Sequence, residues 1–311
     1  MNLLVTGGAG FIGSHFVLRH IEQYPDDTIV VLDTMTYAAD KTFLQPVLQR
    51  IRFIEGDIAD IELVSRLVLT YGIEVIVNFA AETHVDRSIQ NAVPFIHSNI
   101  IGVQGLIEVC RASPDLLLIQ ISTDEVYGDL ASGEEPFSLN SALKPSSPYA
   151  ASKASGDLLL MAAVRTYGIR VRMTRCTNNY GPHQDASKLL PVIIHNALQN
   201  KKIPIYGEGR QSRDWLYVTD HNDAVELVIQ KGQDGHIYLI GAGNEHENIQ
   251  VATTVLNVMG KSADLIQFVP DRPGHDWRYT LDSSSIRALG WEPKVTFEDG
   301  IRKTVDWYRH R

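Results

Sequence analysis

Short, mostly apolar runs without polar alternation punctuate the first half of the chain. Residues 2–7, 28–33, 52–58, 74–81 and 116–123 read NLLVTG, TIVVLD, RFIEGDI, EVIVNFAA and LLLIQIST. Strands buried on both faces carry such runs, and they belong to parallel sheets covered by helices. Between them the period changes to that of a helix. In 11–24 (FIGSHFVLRHIEQY), Ile12, Phe16 and His20 stand four apart. Residues 59–72 form a second helical pattern stopped at Gly72, and 93–113 a long third. Repeated βα units predict a doubly wound parallel α/β sheet.

Beyond about residue 180 the pattern is less regular. Helices are predicted at 189–202, 221–232, 248–260 and 296–310, with short strands at 202–207 and 236–241. No repeat or low-complexity linker separates the halves. The expected division is a dinucleotide-binding Rossmann domain over 1–180 and a smaller α/β lobe over 181–311, with the chain free to cross between them.

Composition narrows the class. The chain has 311 residues, 44% hydrophobic and 21% charged, in the ordinary globular range. A net charge of −9 argues against nucleic acid or an anionic membrane as main partner. Cys110 and Cys176 sit in apolar contexts with no metal-ligand spacing, so no metal site is expected and both read as buried thiols of a cytoplasmic protein. The start MNLLVTGGAG lacks the basic region of a signal peptide, and no stretch reads as a membrane span.

VTGGAGFIGS places Gly7, Gly10 and Gly13 between the first strand and the first helix. Glycine there permits a tight turn and close approach of backbone to a pyrophosphate at the helix N-terminus. Asp33 ends the second strand, 20 residues past Gly13. A carboxylate at that point accepts from the adenosine ribose hydroxyls and repels a 2′-phosphate, so NAD is expected rather than NADP. Asp57, at the end of the third strand, either faces the adenine amino group, with Ile58 on the ring, or only closes a turn.

Two further patterns carry chemistry. Tyr149 and Lys153 stand four apart in SPYAASKAS, which puts both on one helix face. A lysine beside a phenol favours phenolate, and such a tyrosine can take a hydroxyl proton while hydride leaves for nicotinamide. ISTDEVYG ends a strand in two adjacent acids, Asp124 and Glu125. These are either a helix cap or a general acid and a general base.

The motifs TGGAGFIG, YAASK and a strand-end Ser-Thr resemble those of the extended short-chain dehydrogenase/reductase family. The resemblance runs nearly end to end, through AAETHVDRS (80–88), STDEVYG (122–128), YAASKAS (149–155), RCTNNYGP (175–182), RDWLYV (213–218) and DRPGHDWRY (271–279). Several members act on nucleotide sugars, and the acidic pair is similar to that of members that eliminate water. The resemblance therefore implies a lyase converting dTDP-glucose to dTDP-4-keto-6-deoxyglucose in deoxysugar biosynthesis. Tyr149 would deprotonate the 4-hydroxyl as C4 hydride passes to tightly bound NAD. Glu125 would then take the C5 proton while Asp124 protonates the departing 6-hydroxyl. Hydride returns to C6, so NAD is recycled. Thr123 would bond the 4-oxygen.

The same resemblance implies the binding residues. Phe11, Ile12, Asp33, Thr34, Met35, Thr36, Asp57, Ile58, Phe79, Ala80, Ala81, Glu82 and Thr83 would line NAD, with Ser98 nearby and Asn179 at the nicotinamide. Thr83, Asn178, Lys188, Leu189, Pro204, Ile205, Tyr206, Arg213, Asn248, Asp271, Arg272, Pro273, Gly274 and His275 would hold the nucleotide sugar. Arg213 and Arg272 suit bidentate diphosphate contact and Tyr206 suits stacking on thymine. A homodimer is implied, joined through helices 93–113 and 149–168.

Blander readings stand beside these. Arg213 pairs equally well with a surface acid, and His84 reads as pinning a loop. His183, His195 and His221 show no metal spacing. The competing functions are another UDP-sugar epimerase or dehydratase of this fold, and a non-catalytic NAD-binding regulator. An epimerase needs no acid at C6, and a regulator has no need of Tyr149, Lys153 and both acids.

Overall fold

The computed structural model describes residues 1–131, 133–271 and 275–310. In the first half, strands β1 (Asn2–Thr6), β2 (Thr28–Asp33), β3 (Ile51–Glu55), β4 (Val75–Asn78), β5 (Leu117–Thr123) and β6 (Arg170–Cys176) alternate with helices. These are α1 (Phe11–Gln23), α2 (Ile61–Tyr71), α3 (Val85–Gln90), α4 (Val93–Ile96), α5 (Val103–Ala112) and α6 (Pro148–Tyr167). The second half runs β7 (Asn178–Tyr180), α7 (Leu189–Leu198), β8 (Ile203–Tyr206), β9 (Ser212–Tyr217), α8 (Val218–Lys231), β10 (Ile237–Ile240) and β11 (Glu245–Glu247). It ends with α9 (Asn248–Met259), β12 (Ile266–Val269), β13 (Arg278–Tyr279), α10 (Ser284–Arg287) and α11 (Phe297–Arg309).

The large sheet has seven strands in the order β10-β6-β5-β4-β1-β2-β3, every pairing parallel. Its continuous apolar runs have the expected cause. Leu3 and Val5 face one core with Phe16, Val17, Ala224 and Val228, from α1 and α8. Leu4, between them, faces a second core with Val64, Leu67, Leu106, Ile107 and Leu160, from α2, α5 and α6. Each strand must therefore be apolar on both sides. The strand order reverses between β1 and β4, and the crevice at the carboxyl ends there is where such sheets bind ligands.

Three features differ from the expectations. Residues 237–240, read as part of the second lobe, form the edge strand β10 beside β6, and α8 packs on α1. The chain thus returns to the large sheet after leaving it. Residues 93–113, read as one helix, are α4 and α5 joined by a π turn over His97–Gly102. The run Val93–Ala112 is also long and apolar enough, by length and composition alone, to cross a membrane. Half of it is buried within the protein, as in a core helix.

The remaining strands build a smaller layer. β9 pairs with β7, β11 and β13, and β8 pairs with β12. Its own core joins Ile193, Ile203, Ile205, Trp215, Val255, Phe297 and Ile301. β7, β11, β12 and β13 had no clear sequence signal, because each is short, and β9 (Ser212–Tyr217) had none because it opens on the polar Ser-Arg-Asp.

Candidate active site

The glycine turn at the end of β1 is built for close approach, and its three glycines do different work. Gly7 has φ +66°, and a Cβ there would stand 2.5 Å from the Ala80 nitrogen. Gly13, in the first turn of α1, would drive a Cβ to 2.3 Å from the Gly7 carbonyl oxygen. Gly10 is the N-cap of α1, where a Cβ would stand 3.3 Å from the Gly7 carbonyl oxygen, a tight contact that a small shift relieves. It supplies no capping side chain, so the first-turn N–H groups of Phe11, Ile12 and Gly13 are left for an anion in the crevice.

A cleft of about 240 Å³ opens at this turn. It is lined by Gly7, Gly10, Asp33, Thr34, Thr36, Asp57, Ile58, Phe79, Ala80, Ala81, Glu82 and Ser98, all expected cofactor residues. Ala38, Ala39, Pro94 and His97 also line it and were not foreseen. Asp33 is buried and accepts from the Ala9 and Met35 N–H groups at 2.9 Å each. Burial still pushes its carboxyl up. Met35 takes φ +54° to close that turn. Asp57 lines the cleft, accepts from Ala59 N–H (2.8 Å) as a turn-closing acid does, and pairs with the His97 ring (2.8 Å). The glycine cradle and the buried acid fit a dinucleotide of the NAD kind.

Asn99, in the π turn, is the main residue sequence reasoning missed here. Its side chain accepts from Glu82 N–H (3.0 Å), donates to the Glu82 carbonyl (3.0 Å) and donates to Ser152 Oγ (2.8 Å). It ties the cleft loop to the helix bearing Tyr149. Only the widened turn aims it there, so no linear signal could have shown it.

The second cluster forms where β5 meets the 3-10 turn Asp124–Tyr127. Thr123 donates to Asp124 Oδ1 (3.1 Å), accepts from Glu125 N–H (3.3 Å), and is hydrogen-bonded to the Tyr149 phenol. α6 begins at Pro148 behind the cap Ser147, which accepts from Ala150 N–H. Tyr149 and Lys153 follow on its buried face. Asp124 is 2% exposed, and its Oδ2 has no hydrogen-bond partner in the protein. Burial, then the Glu125 charge, pushes its carboxyl up to about 8. It is protonated at neutral pH beside a second carboxyl, the division an acid and a base require.

The expected effect of Lys153 on Tyr149 is not what this arrangement gives. Lys153 donates to the Ile121 carbonyl (2.7 Å). Burial and the Glu125 charge push the Tyr149 phenol well up, against the lowering bond from Thr123. Burial also lowers Lys153, opposed by Asp157.

The expected nucleotide-sugar residues are spread over β7, α7, β8, β9, the start of α9 and the loops at Thr83, Lys188, Asp271 and His275. Asn178 and Asn179 each bury a side-chain oxygen with no protein partner. Lys188 donates to the Thr83 carbonyl (3.1 Å), and Leu189 starts α7. On β8 the pleat turns Pro204 and Tyr206 outward, whereas the Ile205 side chain is part of the core and offers no surface to a ligand. Tyr206 meets the His275 ring edge-on at 6.1 Å. Asp271 accepts from Gln211 and pairs with His275, each at 2.7 Å, and Asn248 starts α9. Arg213 is buried, and two of its nitrogens are committed to the carbonyls of Ser212, Asp276 and Trp277. It does not form the surface pair considered for it. Arg272, Pro273 and Gly274 lie outside the described residues. His84 caps α3 through a contact with Arg87 N–H, in keeping with a loop-pinning role. No cluster of metal-ligating side chains occurs among the described residues.

Comparison with known proteins agrees with this geometry. A family profile described as GDP-mannose 4,6 dehydratase matches residues 4–304. A dTDP-glucose 4,6-dehydratase of Mycobacterium tuberculosis is 46% identical over 312 residues, covering 99% of this chain and 93% of that protein. The dTDP-glucose 4,6-dehydratase of Streptomyces venezuelae, solved with NAD and TYD bound, superposes with a TM-score of 0.96 at 46% identity, covering 100% of this chain and 98% of that one. A UDP-glucose 4-epimerase of Thermus thermophilus, solved with NAD, reaches 0.92 at 32% identity, over 99% of each chain. Backbone likeness alone thus does not separate dehydratase from epimerase, and the side chains at the end of β5 must. On sequence and fold together, the chain belongs to the GDP-mannose 4,6 dehydratase family of extended short-chain dehydrogenase/reductases.

Proposed function

We propose that this protein catalyses NAD-dependent 4,6-dehydration of dTDP-glucose to dTDP-4-keto-6-deoxyglucose and water. The observation that carries the reading is the adjacent pair of buried Asp124 and part-buried Glu125, joined through Thr123 to Tyr149. An epimerase has no use for a protonated carboxyl at C6. The near-identical lengths and 46% identity to named dTDP-glucose dehydratases support the same choice.

In this reading Tyr149 takes the 4-hydroxyl proton, and Thr123 holds the 4-oxygen in the low-dielectric pocket. NAD, held by the glycine turn and Asp33, would supply the hydride acceptor for C4 and the hydride donor for C6. The 4-keto group acidifies C5–H, Glu125 removes that proton, Asp124 donates its own to the leaving 6-hydroxyl so that water departs, and Glu125 returns a proton to C5 as C6 is reduced; the proton taken by Tyr149 balances the one Asp124 gave. Lys153, one helical turn from Tyr149, is held by the Ile121 carbonyl, and Thr123 is the group that opposes the rise of the phenol. Exposed Tyr206 supports the base contact, the Lys188 bond to Thr83 ties the two expected sugar residues together, and Asn178 and Asn179 each carry an amide oxygen without a protein partner that a ligand would satisfy. We assign residues 1–180 mainly to the cofactor and 181–311 mainly to the nucleotide sugar, with α8 and β10 returning to the large sheet.

We further propose a homodimer in the cytoplasm, where the NAD and nucleotide-sugar pools lie. Exposed Ile96 and Ile101 on the 93–112 run, and Leu158, Met161 and Tyr167 on α6, support pairing through these helices. The test is incubation of purified protein with dTDP-glucose or UDP-glucose, without added NAD. The 4-keto-6-deoxy product is read by its absorbance in alkali. Product from dTDP-glucose is the expected result. None, even with NAD supplied, overturns the reading.

A further inference from the structure

The buried face of α6 does not end at Lys153. Asp157 follows one turn later and is 0% exposed. Its Oδ2 accepts from Arg175 Nε at 2.9 Å, and Arg175 is 3% exposed. Arg175 lies on β6 directly beside Ser122 of β5. Its Nη1 donates to the Tyr127 hydroxyl at 2.6 Å. Tyr127 is the last residue of the turn that carries Asp124 and Glu125, and its ring stacks on Phe137 at 5.1 Å. A chain of contacts therefore runs behind the active site, from the helix of Tyr149 and Lys153, through an ion pair, to the turn of the two acids.

Stability alone is a poor reason for this pair. Desolvating two charges offsets most of their attraction, and well-packed apolar side chains of similar volume do as well or better. Asp157 also leaves Oδ1 buried without a protein hydrogen-bond partner. The location is the informative part. Lys153 is itself 5% exposed, and burial opposes its charge. The groups acting on that charge are Asp157 from its own helix and Cys176 from β6. Asp124 and Glu125 act on Tyr149, one turn away.

We propose that Asp157 and Arg175 are positioning residues, which hold Lys153 and the Asp124–Glu125 turn in one fixed relation for the dehydration. The inference rests on the function proposed above. Asp157 supplies the negative charge that keeps a buried ammonium from shedding its proton. Arg175 spans the gap and, through the Tyr127 hydroxyl, sets where the turn sits against Tyr149. Neither touches the reacting sugar atoms.

Asp157→Asn, Arg175→Lys and Tyr127→Phe enzymes, isolated with their bound cofactor, test this beside the parent. Asp157→Asn should lower kcat by roughly tenfold or more with KM little changed, and move the alkaline limb of the rate profile to lower pH, because a less supported Lys153 deprotonates sooner. Arg175→Lys keeps the charge and should recover part of the rate while the alkaline limb stays near the parent's. Tyr127→Phe removes one oxygen only. It should slow elimination more than C4 oxidation, so enzyme-bound NADH absorbance builds up during turnover. A purely structural pair would lower the melting temperature and leave the pH profile and the NADH signal unchanged. That outcome in Asp157→Asn overturns the proposal. Should that variant fail to fold, Tyr127→Phe decides, and parent-like turnover without NADH accumulation overturns it. Lack of turnover in the parent would instead refute the function on which the inference stands.

Discussion

The cofactor cleft and the acid pair sit at the carboxyl ends of the same sheet, yet they are made differently. The cleft is built from backbone and from the absence of side chains. Gly7 and Gly13 exist to let main chain approach main chain, and Asp33 is fixed by two N–H groups. The acid pair is built from side chains, and burial opposes the charge of one of them, Asp124. Asp124 is buried with one oxygen unpartnered, beside Glu125 and a raised phenol. A change in the cleft should therefore act through geometry and binding, and a change at the pair through chemistry and pH.

The largest effect separating the two belongs to Glu125→Gln. Loss of a general base costs roughly 10²- to 10⁴-fold, so turnover should fall by that much while the C4 oxidation survives. Stopped-flow absorbance should show bound NADH formed and not consumed. Full turnover would remove Glu125 as the base.

On the cleft side, Gly13→Ala should cost about 1–3 kcal/mol of overpacking, because its Cβ meets the Gly7 carbonyl oxygen. Bound NAD per protomer, measured after purification, should drop sharply. Gly10→Ala should retain its fold, since nothing stands closer than 3.3 Å to its Cβ, and lose only part of its cofactor. Equal behaviour of the two variants would erase the distinction between packing and approach.

A smaller effect is set by pH. Asp124 must hold its proton to act as the acid, so the rate should fall as pH rises through about 8. The Asp124→Asn enzyme, slow throughout, should lack the fall near 8 and keep only the separate alkaline limb that Lys153 sets. Stability carries the same sign. Because burial raises this carboxyl in the folded state, its contribution is complete below the ordinary carboxylate range and is lost as pH rises through about 8. Thermal melts from pH 5 to 9 should show a flatter decline in Asp124→Asn than in the parent.

The smallest effect is expected at Asp33. Replacement by Ala removes the acceptor for the Ala9 and Met35 N–H groups, and should weaken NAD by about tenfold, or about 1.4 kcal/mol. Titration calorimetry on cofactor-stripped protein measures it. A gain in NADP affinity at the same position would support the ribose assignment.

Much of the first half was legible in the chain. β1, β2, β5, α1 and α2 lie within two residues of their predicted bounds, because double burial leaves an unbroken apolar run and helices leave a period of four. Gly7, Gly10, Gly13 and Asp33 were legible because a pyrophosphate at a helix N-terminus constrains residue type and spacing locally. Asn99 was not, because its reach depends on the π turn. Ile205 was placed among ligand contacts, but strand pleat sends it into the core. The membrane expectation also needed revision, since helix 93–112 meets the length and apolarity of a span.

By itself, then, the chain determined the α/β class, the nucleotide-binding turn, and the presence of Tyr149, Lys153 and two adjacent acids. These depend on neighbours a few residues apart. Tertiary structure alone decided that β10 rejoins the large sheet, that Arg213 is committed to carbonyls, and that Asp157, Arg175 and Tyr127 form one buried chain. It also decided which carboxyl keeps its proton. A charge state depends on desolvation and on partners brought from distant positions, and only folding sets either one.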